Sequence, residues 1–134
     1  MALFEEDAPW EHAADAIHVF NLYGGWVAGA ATDDELRRVV GDLNRRGIAI
    51  GFEASPLRYG SDCAAWLDEG RSITRRLQQA GAVVRYVAFD HTYEVYGTAP
   101  EAAVDQLRRA TAAVSGAELT LLPISIGGYL RAPV

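Results

Sequence analysis

The architecture of this chain turns on GIAIGFEASPL, residues 47–57. A glycine opens the stretch, small and apolar residues lead to Glu53, and Pro56 follows shortly after. Side chains alternate along an extended strand, so Ala49, Gly51 and Glu53 share one face while Ile48, Ile50 and Phe52 share the other. VVRYVAFD, residues 83–90, repeats the pattern, with Tyr86, Ala88 and Asp90 alternating with Val87 and Phe89. In an open parallel sheet helices cover both faces, and the strands read as near-continuous runs of large apolar residues. A face of small residues ending in a carboxylate suits instead the crowded interior of a barrel, where side chains stack in layers. The bulky face then packs against helices.

Outward from this strand, glycines punctuate the chain. Gly47, Gly81 and Gly116 each close a helical pattern and open a β-branched or aromatic run, at spacings of 34 and 35 residues, close to one βα unit. TDDELRRVVGDLNRRG (32–47) begins with a capping box, Thr32 with Glu35, and puts Leu36, Val39, Val40 and Leu43 on one face. Its acidic start and arginine finish suit the helix dipole, and Gly47 fits the position after the C-cap. DCAAWLDEGRSITRRLQQAG (62–81) carries Trp66, Ile73 and Leu77 on one stripe, with Gly70 as a weak point. TAPEAAVDQLRRATAAVSG (98–116) repeats the Thr–Glu cap, and a short helix is expected at DAPWEHAADA (7–16), with Asp7 as its cap and Pro9 in the first turn. The strands between are IHVFNLY (17–23), IAIGFEA (48–54), VVRYVAFD (83–90) and ELTLLPISI (118–126). Strands separated by such helices run parallel, joined by right-handed crossovers.

This order fits either an open, flavodoxin-like parallel sheet or a (βα)4 unit, half of an eight-stranded TIM barrel, and the alternation in residues 48–54 favours the half-barrel. Residues 1–134 are expected to form a single α/β half-barrel domain. Four strands with inward faces leave both edges unpaired. A second copy related by a two-fold axis closes both at once, so a homodimer is expected.

Composition narrows the chemistry. Half of the residues are apolar and 22% are charged, an ordinary globular balance. The net charge of −6 and the lack of a basic run speak against nucleic acid as a partner. All 12 basic residues are arginine, which excludes lysine Schiff bases and a P-loop lysine. Cys63 stands alone, so neither a disulfide framework nor a thiolate metal cluster is available, and it reads as a small buried filler. The first residues, MALFEEDAPWEH, carry no signal-peptide pattern, and no apolar run approaches the roughly 18 residues of a membrane helix. A cytoplasmic protein is the expectation, a lost leader aside.

In parallel α/β folds, chemistry collects where strands end and helices begin. Those ends carry Asn21 with Tyr23 and Trp26, Glu53 with Ser55 and Arg58, Asp90 with His91, Tyr93 and Glu94, and Ser125 with Gly127 and Gly128. Glu53 and Asp90 end successive strands on one face. Parallel neighbours lie about 4.8 Å apart, which puts the two carboxyls about 5–9 Å apart, a range that covers retaining and inverting glycosidases. Two carboxylates in one low-dielectric mouth split their pKa values into a proton donor and a base. Tyr23, Trp26 and Tyr93 offer flat apolar faces to a carbohydrate substrate; Asn21, Arg58 and His91 offer hydrogen bonds. A structural role is the competing reading, with Glu53 or Asp90 paired to Arg85 or Arg58. So is an esterase or phosphoester hydrolase that uses His91 oriented by Asp90, or a sugar-binding half-barrel without catalysis. FDHTYEVYG (89–97) is too poor in histidine for a metal hydrolase, and SIGGYL (125–130) lacks a clear following helix to make a phosphate cradle. No metal and no cofactor is expected.

With these residues in view, the chain resembles a group of uncharacterised bacterial TIM-barrel proteins with a glycosidase-like organisation. The resemblance runs through APWEHAADAIHVFNLYGGWV, ATDDELRRVVGDLNRRGIAIGFEASPL and RRLQQAGAVVRYVAFD, which are spread over residues 8–90, about two thirds of the chain. Members of the group read as whole barrels, with an acidic residue at an EAGPL-like strand end and a DEP-like tripeptide after the next strand. Glu53 and Asp90 match those positions; His91 and Thr92 depart from the tripeptide. The resemblance implies about half a barrel and supports fold more than function.

Overall fold

Thr32 starts the first long helix as the sequence predicts. The Glu35 N–H donates to Thr32 Oγ1 at 3.2 Å and the Thr32 N–H donates to Glu35 Oε2 at 2.8 Å, so each residue caps the other. This helix belongs to a computed structural model that describes residues 10–55 and 66–89, together with Phe4, Asp105, Arg108, Arg109, Ala112 and Val114. Its elements are α1 (Glu11–Ala14), β1 (Val19–Tyr23), a π-helical turn (Trp26–Ala30), α2 (Asp33–Arg45), β2 (Ala49–Ala54), α3 (Leu67–Gln79) and β3 (Val84–Phe89). The expected final strand at 118–126, and most of the expected helix at 98–116, lie outside the described residues.

The three strands form one parallel sheet in the order β1-β2-β3, with β2 central. Sequence order equals spatial order, so each helix crosses over to the next strand in line. Leu36, Val39, Val40 and Leu43 of α2, and Ile73 and Leu77 of α3, are all buried in one core cluster with Leu22, Ile50, Phe52, Val84 and Val87 of the sheet. Both helices therefore lie on the same face of the sheet. Gly47 and Gly81 follow α2 and α3 with φ of +70° and +95°, the left-handed backbone that lets a helix stop and turn into a strand. Asn44 fastens the two helix ends together, its Nδ2 donating to the Gly81 carbonyl at 3.1 Å.

The other face carries Asn21 and Tyr23 of β1 beside Gly51 and Glu53 of β2, and Tyr86 and Ala88 of β3 beside the same pair. In β2 this is the division of small and bulky residues expected from the alternation, while Asn21, Tyr23 and Tyr86 bring larger side chains to the same face. Ala88 is only 1% exposed yet takes no part in the helix-side core cluster. Its side chain is buried on the second face.

Two local features differ from the sequence expectation. Ile50 pairs with Val84 and Gly51 with Tyr86, so Arg85 is left over as a bulge, uncommon in parallel ladders. The bulge is why Val84 and Val87, three residues apart, both enter the helix-side core. α1 is also a single turn, shorter than the expected 7–16, and Asp7 and Pro9 lie outside the described residues. Trp10, at its start, is held from the side instead. Trp10, Phe4 and Phe20 meet edge to face at centroid distances of 5.3–6.0 Å, and the Arg46 guanidinium lies 5.1 Å from the Trp10 ring centroid. Arg46 also forks onto both carboxylate oxygens of Glu11 at 2.8 Å.

Candidate active site

The carboxyl ends of β1 and β2 open into a cleft of about 150 Å³. Tyr23, Gly24 and Gly25 line one side, Glu53, Ala54 and Ser55 lie along the end of β2, and Trp66, Glu69 and Ile73 come from α3 and the residue before it. Each wall has a local cause. A Cβ at Gly24 would overlap the Glu53 carbonyl oxygen, so glycine is what lets the chain leaving β1 lie across the end of β2. Trp66 is 2% exposed and its ring packs 6.3 Å from that of Phe52, which ties this side of the cleft to the core.

The segment from β1 to α2 is clamped by one cation. Arg76 of α3 donates to the Val27 carbonyl, to the Ala31 carbonyl at 2.9 Å and to Asp33 Oδ1 at 2.8 Å. Val27 lies within the π-helical turn and Ala31 follows it, and the turn's own closing bond runs from the Ala31 N–H to the Trp26 carbonyl at 2.8 Å. The hydrogen bond from the Arg76 guanidinium, followed by its charge, holds the Asp33 carboxyl below its ordinary value.

The residues expected to form a site are distributed as follows. Glu53 is half-buried at the end of the central strand, on the cleft, and makes no hydrogen bond or ion pair among the described residues. Arg85, one of its expected partners, lies exposed in the bulge. Tyr23 pairs in register with Glu53 and stands 60% exposed at the cleft. Asn21 sits one step deeper, opposite Gly51, with its Oδ1 buried and unpartnered. Trp26 lies half-buried in the π-helical turn, packed against the core and not among the cleft residues. Arg58, Asp90, His91 and Tyr93 lie outside the described residues.

The sequence reading missed Glu69, a second carboxylate on the cleft, exposed in the first turn of α3. Acidic residues in a first helical turn are read by default as complements to the dipole, which hides any further use. Among the described residues, no group of three or more His, Cys, Asp or Glu side chains is placed to hold a metal ion, and no helix is long and apolar enough to cross a membrane. The cleft can present carboxylate and hydroxyl groups beside the exposed ring of Tyr23, a combination suited to a polar ligand with an apolar face. No family model, curated protein or solved structure matches this chain, so the chemistry of the cleft rests on its own geometry.

Proposed function

We propose that this protein is a glycoside hydrolase built as half of a TIM barrel, with Glu53 as one of two carboxylates that act on the glycosidic bond. Glu53 itself carries the reading. A carboxylate at a strand end, on a cleft and without a described cation beside it, is placed to meet a ligand. Asp90 is the second carboxylate in this scheme. It lies two residues beyond Ala88, the register partner of Glu53. One group protonates the leaving oxygen, and the other serves as nucleophile or as base for water.

The half-barrel part of the proposal is supported by the in-order parallel strands and by both helices lying on one face. A second copy completes the barrel beside the outer edge of β1, which has no partner among the described residues. Light scattering at micromolar concentration is expected to give a dimer, and a clean monomer would sink the half-barrel.

A panel of chromogenic aryl glycosides, assayed with and without chelator, tests the chemistry. Glu53→Gln and Asp90→Asn are each expected to fold and to lose about 10²–10⁴-fold in turnover. Near wild-type turnover in both folded variants would overturn the hydrolase assignment.

A further inference from the structure

The chain leaving β1 forms one wall of the cleft and is a single helical stretch. Gly24 and Gly25 are helical, and Trp26–Ala30 continues them without a break as the π-helical turn. Two carbonyls at its end fall outside helical pairing. The Val27 carbonyl would take the Thr32 N–H if the five-residue spacing ran on, but that N–H donates to Glu35 Oε2 at 2.8 Å. The Ala31 carbonyl belongs to an extended residue ahead of the α2 ladder. Arg76 supplies donors to both, and its third bond reaches Asp33 at the start of α2. Glu69, Ile73 and Arg76 follow at i, i+4 and i+7, on one face of α3. Glu69 and Ile73 line the α3 side of the cleft, and Ile73 Cδ1 stands 3.3 Å from the place of a Gly24 Cβ. One helix face thus carries a cleft carboxylate, lies against the near end of the β1 wall and pins its far end.

We propose that Arg76 is a positioning residue of the cleft: by pinning the π-helical turn to α3, it fixes the Gly24–Gly25 wall relative to Glu53 and Glu69. This rests on the hydrolase reading above. The pinned shape is a specific one. A π turn holds one residue more than an α turn, and an α turn from Trp26 would close on Ala30 instead of Ala31. With Arg76 gone, the turn can tighten by that residue. Gly24 and Gly25 then shift with it, because they belong to the same helical stretch. A displacement of about 1 Å at a reacting site is enough to cost about 10²-fold in rate. Arg76 is not among the residues lining the cleft, so it acts through the wall and not on the substrate.

The test compares Arg76→Ala and Arg76→Lys with Asn44→Ala, which removes another side-chain donor to a main-chain carbonyl at the far end of α2. Backbone amide NMR of the full chain reads the wall without any substrate. Alongside it, kcat and KM for the aryl glycosides are measured well below each variant's melting temperature. In Arg76→Ala, hydrogen exchange at the Ala31 N–H is expected to speed up at least about tenfold relative to the middle of α2. The Gly24, Gly25 and Glu53 amide signals move, and kcat falls about 10–10²-fold with KM little changed. Arg76→Lys falls between Arg76→Ala and wild type, because an ammonium cannot span the same acceptors. Asn44→Ala leaves the cleft signals, kcat and KM at wild-type values. Unchanged Ala31 exchange, or unmoved Gly24 and Glu53 signals, in Arg76→Ala overturns the positioning role. So does a folded Arg76→Ala with wild-type kcat, or an equal loss of kcat in Asn44→Ala. A wild type that turns over no glycoside removes the hydrolase reading, and the amide signals then decide the placing of the wall by themselves.

Discussion

Replacing Gly70 with alanine sets two effects against each other in the middle of α3. Helix propensity favours the substitution by about 1 kcal/mol, because glycine has the most backbone freedom to lose. The structure opposes it. A Cβ at Gly70 would stand 2.7 Å from Trp66 Cη2, 2.8 Å from Cζ2 and 3.0 Å from Cζ3. Carbon atoms prefer about 3.5–4.0 Å, so the indole must retreat by about 0.7–1 Å. It has little room to do so, being 2% exposed and packed against Phe52. Overpacking of this kind costs about 1–3 kcal/mol, which leaves Gly70→Ala net destabilised by about 1 kcal/mol. Gly41 in α2 is the internal control, since a Cβ there meets nothing closer than Arg45 Nη1 at 3.8 Å. Gly41→Ala should gain about 1 kcal/mol from propensity alone. Urea unfolding of the two variants should therefore separate them by about 2 kcal/mol with opposite signs. A third variant, Gly70→Ala with Trp66→Phe, should destabilise by less than the sum of its parts, because the smaller ring vacates the contested space. Two glycine variants stabilised alike would refute the packing argument, as would strict additivity in the double variant.

Gly51→Ala should cost more than either, about 2–3 kcal/mol, because the added Cβ meets Asn21 Oδ1 and, at 2.8 Å, the Tyr86 carbonyl oxygen; adding Asn21→Ala should restore part of the loss in the same denaturation assay. Arg76→Ala should lower stability by about 1–3 kcal/mol by leaving the Val27 and Ala31 carbonyls without their donor. Arg76→Lys should recover only part of this, since an ammonium cannot span the same acceptors as a guanidinium fork. Acid should weaken the fold in a shallow, salt-sensitive way. Glu11 is held below 4.5 by the hydrogen bond from Arg46, Asp33 below 3.8 by that from Arg76, and Glu35 below 4.5 by the Thr32 backbone. Lowered folded values mean stability that is present above the unfolded values and lost as pH falls through the folded ones. Melting temperature should therefore decline below about pH 5 and decline less in the Glu11→Gln, Asp33→Asn and Glu35→Gln variants.

Much of this fold is legible because it is written in local rules. Thr32 with Glu35, the Leu36–Val39–Val40–Leu43 stripe and the glycines at 47 and 81 each need only a few neighbouring residues to state a helix start, a buried face or a stop. The division of β2 into a small and a bulky face is likewise a period-two statement. What the sequence hides depends on contacts across the chain. Gly70 reads as a weakness until Trp66 is seen lying on it, and nothing near Arg76 in the sequence marks it as the residue that grips Val27 and Ala31 from 49 and 45 residues away. The π-helical turn leaves no local pattern, because its identity comes from that grip and from burial of Val27. The same holds for the site. Glu53 and Tyr23 announce themselves as strand-end residues, but Glu69 enters the cleft only through the placement of α3 against β2.

The bulge at Arg85 joins the fold to the proposed chemistry. Strict alternation from Val84 would carry Tyr86 and Ala88 onto the helix side and turn Val87 away from it. The chain needs the reverse: Val84 and Val87 both in the core, and a small residue beside Glu53 on the other face. One residue left out of the ladder satisfies both demands, because a slip of one position exchanges the faces of everything that follows. Ala88 then lies next to Glu53, where a larger side chain would crowd the carboxylate. Asp90, two positions further along the sequence, is the residue that the proposed scheme needs on this face. The proposed pairing of Glu53 with Asp90 therefore depends on a register choice made five residues earlier, at a position whose own exposed arginine is not among the residues lining the cleft. Core packing selects the slip, and the slip selects which residue of the third strand shares a face with Glu53.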